Sequence, residues 1–187
     1  MGNYGRFQLD TASSLLMIID FQEKLCHAMD GEILEKHTAN VSILLEAARE
    51  LGVPVLATEQ YPAGLGETLP GLKEKLEDAP LEKMSFSCCG DESIMARVAA
   101  SGRNSIIVTG METHICVLQT VLDLLAKGYT VHVVSDGVIS RRKSNWRTGL
   151  AIASSAGAVV TSTEVVLFQL LKRAGTAEFK KLSKLVR

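Results

Sequence analysis

Residues 105–120 read SIIVTGMETHICVLQT: a β-branched apolar run, a glycine, a short polar stretch, then a cysteine opening a second apolar run. The first half has the composition of a buried strand and the second the period of a helix. Gly110 stands where the chain must turn sharply between them. Cys116 then has two readings. It is a small buried hydrophobe, as free cysteines commonly are. Or it is a nucleophile beside a helix N-terminus, where unpaired N–H groups and the positive dipole end favour thiolate and can receive an oxyanion.

Outward from this segment the same unit recurs. LLMIID (15–20) reads as a strand, followed by a helix over 31–51 that Gly52 ends. VPVLATE (53–59) is a second strand, LEKMSF (81–86) a third with a helix over 91–101 behind it, and NSIIVTG (104–110) the fourth. A helix over 114–127, a strand YTVHVVSD (129–136), a helix over 144–156 and a strand AVVTS (158–162) follow, then two helices over 163–173 and 176–185. Alternation of this kind implies right-handed βαβ crossovers, hence a six-stranded parallel sheet in a three-layer α/β/α fold. No repeat, low-complexity segment or linker interrupts it, so residues 1–187 are expected to form one domain.

Composition narrows the function classes. The chain is 47% hydrophobic and 22% charged, in the globular range, and 20 basic against 21 acidic residues leave a net charge of -1. No basic field exists for a nucleic-acid backbone. Apolar runs such as LLMII at 15–19 are too short to span a bilayer, no secretory signal pattern is expected at the start, and MGNYGR has Arg6 where a myristoylation motif wants Ser or Thr. Cys26, Cys88, Cys89 and Cys116 lack paired CxxC spacing, which fits reduced thiols in a cytoplasmic compartment.

In parallel sheets ligands bind beyond the carboxyl ends of the strands, near the switch in strand order. Asp20 closes the first strand, Lys83 lies in the third, and Cys116 follows the fourth. Taken singly, Asp20 is an N-cap or a site carboxylate, and Lys83 a solvated edge lysine or a site cation. Together they supply a nucleophile, a base and a cation to hold the base. The segment after the first strand, DFQEKL, lacks a GxGxxG fingerprint, and the four histidines form neither HExxH nor a ligand cluster. His114, beside Cys116, is a pocket-lining side chain or a base.

These residues resemble the isochorismatase-like cysteine hydrolase superfamily, through MIIDFQ (17–22), ATEQYPAGLG (57–66), LEKMSFSC (81–88), VTGMETHICVLQT (108–120) and VVSDGVISR (133–141). The resemblance covers residues 13–171 and implies a Rossmann-like, isochorismatase-like fold with an Asp20–Lys83–Cys116 triad. It implies a cis peptide at Met111–Glu112, an oxyanion hole from the N–H groups of Glu112 and Cys116, and Thr113 fixing that turn. Phe21, Gln22, Gln60, Tyr61, Thr113 and Ile115 are implied as the substrate-binding wall. The metal-binding D-x-H-x-x-H pattern of the nicotinamidase branch has no counterpart in TEQYPAGLGETLPG, so no metal and no cofactor are expected. Family members that act on a vinyl ether lack the nucleophilic cysteine, so Cys116 implies hydrolysis of a small amide-like or acyl substrate, with C–N bonds the first choice. The partners implied are that small molecule and further copies of the chain in a homo-oligomer, with neither nucleic acid nor membrane. A competing reading keeps the fold but makes it an inactive binding or assembly module, with VVLFQLL (165–171) packing against another subunit.

Overall fold

The computed structural model describes residues 4–186; the start of MGNYGR, residues 1–3, and residue 187 lie outside the described residues. Six strands form one sheet, β1 (Ser14–Ile19), β2 (Val55–Gln60), β3 (Leu81–Lys83), β4 (Ser105–Met111), β5 (Thr130–Ile139) and β6 (Val159–Thr161). Every pairing is parallel and the order is β3-β2-β1-β4-β5-β6. The chain first winds outward from β1 to β3, then returns to β4 on the other side of β1. The strand-order switch therefore lies between β1 and β4, where a parallel sheet opens its crevice.

Alternation along β1 sorts side chains to two layers. Leu16 and Ile18 pack with Val41, Leu44 and Leu45 of α2 (Gly31–Leu51) and with Val166 and Leu170 of the later helix Thr163–Leu171. Leu15, Met17 and Ile19 pack on the opposite side with Ile94, Val98, Val121 and Leu124. Strands buried on both faces read as the continuous apolar runs seen in the sequence. The short helix α1 (Glu23–Cys26) follows β1 directly, and α3 (Pro62–Leu65) and α4 (Pro70–Lys73) fill the glycine- and proline-rich segment after β2. On the second face lie α5 (Glu92–Ala100), α6 (Leu118–Ala126) and α7 (Lys143–Ser155); α8 (Thr163–Leu171) and α9 (Ala177–Leu182) end the fold. α2 starts on Asp30, whose carboxylate accepts from Ile33 N–H at 3.1 Å, and ends on Gly52 at φ +66°.

Three elements depart from the sequence expectation. β3 stops at Lys83 instead of running to residue 86, because the carbonyls beyond it turn to the Lys83 ammonium rather than to a neighbouring strand. β5 runs to Ile139, past Gly137, through a bulge that pairs Val108 with Val133 but Gly110 with Val138. The segment carrying Cys116 opens as a π-helical turn, Thr113–Val117, before α6 begins. In that turn the Glu112 carbonyl accepts from Ile115 N–H at 2.9 Å and Val117 N–H at 3.4 Å.

Candidate active site

Three chain segments meet at the carboxyl edge of β1, β3 and β4. Asp20 leaves β1 at φ +50°, and its N–H donates to Thr58 O on β2. That bend aims a fully buried carboxylate at two donors: Lys83 Nζ, 2.6 Å from Oδ2, and Thr58 Oγ1, 2.8 Å from Oδ1. Neither side chain of the Asp20–Lys83 pair reaches solvent. A buried ion pair persists only where its remaining hydrogen-bonding capacity is met. Here Lys83 Nζ also donates to Gln60 Oε1 at 2.8 Å, Phe86 O at 3.1 Å and Ser85 O at 3.2 Å. The lysine is on a border strand, yet it is a core cation rather than a solvated edge residue.

Gly110 brings the third segment in. It pairs with Ile19, the residue before Asp20, at φ +119°. A Cβ there would lie 2.0 Å from the Ile19 carbonyl oxygen, so only glycine lets β4 approach β1 this closely. The Met111–Glu112 peptide that follows is cis. Cys116 is buried in the turn, close enough to Asp20 for the thiol and the carboxylate each to bear on the titration of the other. Burial pushes the Cys116 thiol well up, and the Asp20 charge pushes it further, while Lys83 opposes both. Burial likewise raises the Asp20 carboxyl, against Lys83, Thr58 and Cys116, which pull it down. The expectation of a helix-favoured resting thiolate is therefore corrected. Cys116 sits within a π-turn in an apolar setting beside an anion, and both favour the thiol over the thiolate.

The other expected residues fall into distinct places. Glu112 is buried, its carboxylate accepting from Arg141 N–H at 3.0 Å and Arg141 Nη1 at 3.1 Å. Thr113 is buried, its hydroxyl without a partner, and its carbonyl sits where a Cβ on Gly149 of α7 would come within 2.9 Å. Gln60 is an acceptor for Lys83 and donates to Met84 O at 2.8 Å. The Gln22 amide is spent on backbone: it donates to Gln60 O and Gly66 O and accepts from Gln60 N–H. Phe21 is wholly buried in the core on the α2 side, Ile115 packs on the core of the opposite face, and Tyr61 stands half exposed at φ +39°. His114 is tied by Ser140 Oγ at 3.0 Å and Asn145 Nδ2 at 3.1 Å, so both ring nitrogens are engaged away from the thiol.

Two participants had no sequence signal of their own. Thr58 is an ordinary strand threonine until β2 is paired with β1. Cys88, fully buried, places its sulfur 3.8 Å from Thr58 Oγ1, and its N–H donates to Thr120 Oγ1 at 2.9 Å; burial holds this thiol up at about 12.

The family model for the isochorismatase domain matches residues 14–165. The chain belongs to the isochorismatase family. It is 41% identical over 184 residues to the secreted isochorismatase effector Isc1 of Phytophthora sojae, covering 94% of this chain and 85% of that protein. Among solved structures it resembles the MAR1 ribonuclease of Caenorhabditis elegans, with a TM-score of 0.88 and 35% identity over 96% of this chain and 92% of that one. YcaC of Escherichia coli, an octameric hydrolase of unknown specificity, shares the fold with a TM-score of 0.90 at 23% identity, over 99% of this chain and 92% of that one. The fold is thus that of the isochorismatase-like hydrolases. Among the described residues no helix is long and apolar enough to cross a membrane.

Proposed function

We propose that this isochorismatase-family chain, taken as one domain over residues 1–187, hydrolyses a C–N bond of a small amide-like or related acyl substrate through Cys116. The observation that carries the reading is the solvent-free Lys83–Asp20 pair lying against the Cys116 thiol. Asp20 takes the thiol proton as the sulfur bonds to the acyl carbon, and the Glu112 and Cys116 N–H groups receive the oxyanion. As the C–N bond breaks, Asp20 returns that proton to the leaving nitrogen. Water then attacks the thioester, giving a proton to Asp20; the C–S bond breaks and the sulfur recovers its proton. The net change is amide plus water to acid plus amine. Raised pKa values on both thiol and carboxyl suit this cycle, since each must hold a proton in one half of it. Lys83 keeps the carboxylate in place and opposes the rise of the thiol.

The test is a screen of small amides with intact-mass detection of an acyl adduct. An adduct on Cys116 in the native chain, absent in Cys116→Ala, supports the reading. Turnover retained at the native rate in Cys116→Ala refutes it in favour of another chemistry or an inert binding module. An RNA oligonucleotide belongs in the same screen because a relative is named a ribonuclease, although the net charge of -1 disfavours it. Homo-oligomerisation is part of the proposal, supported by the exposed Val160, Val165 and Phe168 of β6 and α8 and testable by light scattering. A reducing, cytoplasm-like compartment is supported by four unpaired cysteines.

A further inference from the structure

We infer that the leaving amine of the substrate bears a bulky apolar group, seated on a rim made by Tyr61, Met84 and Phe86; this rests on the cysteine-hydrolase reading above. The direction of proton delivery decides which half of the substrate lies there. Asp20 directly follows β1 and Cys116 follows β4, with β2 and β3 beyond Asp20 on the far side. Cleavage of the C–N bond needs a proton on nitrogen, and Asp20 holds the one taken from the thiol. The nitrogen therefore lies on the Asp20 side of the reacting carbon, and its substituent extends toward β2 and β3. The acyl half extends toward β5.

Neighbouring strands are about 4.8 Å apart, so the ends of β1 and β3 are separated by roughly 10 Å, within reach of a benzyl or hexyl group. At that distance the surface changes character. Met84 is 71% exposed, Phe86 55% and Tyr61 49%, with exposed Glu82 the charged residue of the same strip. Large apolar side chains in water are usually scattered singly; these three sit on backbone tied directly to Lys83 and Gln60, next to the reactive pair, and form an apolar edge there. The rim is fixed in place. Lys83 Nζ holds the carbonyls of Ser85 and Phe86, the Gln60 amide holds that of Met84, and Tyr61 N–H donates to Lys83 O at 2.9 Å. The cation that orients the base thus also presents the apolar rim. A primary amide, leaving as ammonia, would use none of this surface. Hydrolysis of the substrate inferred here gives a carboxylic acid and an apolar amine.

The experiment compares kcat/KM for N-benzylbutyramide and butyramide on the purified full chain. The native protein is expected to favour the benzyl amide by about tenfold or more, the scale on which apolar pockets discriminate. Phe86→Ser and Met84→Ser, which keep the backbone carbonyls, should each lower that ratio severalfold, while Ile33→Ser on α2 should leave it unchanged. Equal or better hydrolysis of butyramide overturns the inference and leaves the Cys116 reading intact. An unchanged ratio in the rim variants, with a shift to smaller species on gel filtration, also overturns it by making the rim a contact between copies. Absence of any acyl adduct on Cys116 with both amides removes the hydrolase reading, and the inference with it.

Discussion

Replacing Lys83 with Met leaves a carboxylate in the core with its cation gone. Both partners are wholly shielded from water, so the loss is that of a broken buried ion pair, about 3–5 kcal/mol at pH 8. Asp20→Asn costs less, about 2 kcal/mol, because Lys83 Nζ keeps three acceptors in Gln60 Oε1, Ser85 O and Phe86 O. The double variant is then expected to be more stable than Lys83→Met alone, which requires a coupling of about 2 kcal/mol or more between the two sites. The pH dependence follows from the direction of the Asp20 shift. In Lys83→Met the carboxyl, already raised by burial in the native chain, lies higher still because Lys83 no longer opposes that burial. Such a group contributes stability that is present below the unfolded value and lost as pH rises through the folded one. The deficit of Lys83→Met against the native chain should therefore be largest at pH 8 and shrink toward pH 4–5. Urea unfolding of the four proteins at pH 8 and pH 5 measures all of this. Additive losses, or a Lys83→Met deficit equal at both pH values, would refute the claim that Asp20 and Lys83 form one coupled unit.

Three further outcomes are open to direct measurement. Asp20→Asn should abolish amide turnover yet speed alkylation of Cys116 by iodoacetamide severalfold near pH 8, because the charge that raises the thiol is gone; unchanged alkylation kinetics would contradict the placement of that charge. His132 is buried on β5 and held down to about 4, chiefly by desolvation, so its contribution is present above the ordinary value of 6.5 and lost as pH falls toward 4. That amounts to about 3 kcal/mol, and the native chain should lose about that much more stability than His132→Leu between pH 7 and pH 4, which parallel unfolding curves would disprove. Gly149→Ala pushes a methyl within 2.9 Å of the Thr113 carbonyl and should cost about 1–3 kcal/mol, with turnover falling tenfold or more as the Cys116 turn shifts; native-level turnover would show that α7 does not position that turn.

The strands that build the crevice could be read from the sequence because each is buried on both faces and ends on a distinctive residue. LLMIID announces β1 and Asp20, and IIVTG announces β4 and the turn after it. What stayed hidden depends on neighbours far along the chain. Gly137 looks like a strand stop, and only pairing with β4 turns it into a bulge that β5 passes through. LEKMSF looks like a strand to its end, but a single ammonium redirects its last carbonyls. The place of Cys116 near a helix start reads as favouring thiolate, but burial and the adjacent carboxylate outweigh a dipole end. Gln22 likewise looked like pocket wall, whereas its amide clips the chain between Gln60 and Gly66.

Lys83 has one more effect, on solubility. β3 is the outermost strand on its side, and an outermost strand is a template on which another molecule can add its own. By gathering the oxygens of residues 85 and 86, the lysine cuts that template to three residues, too few for a stranger to zip onto. Loss of this amine would therefore free those oxygens, lengthen the docking edge and invite fibrous self-association.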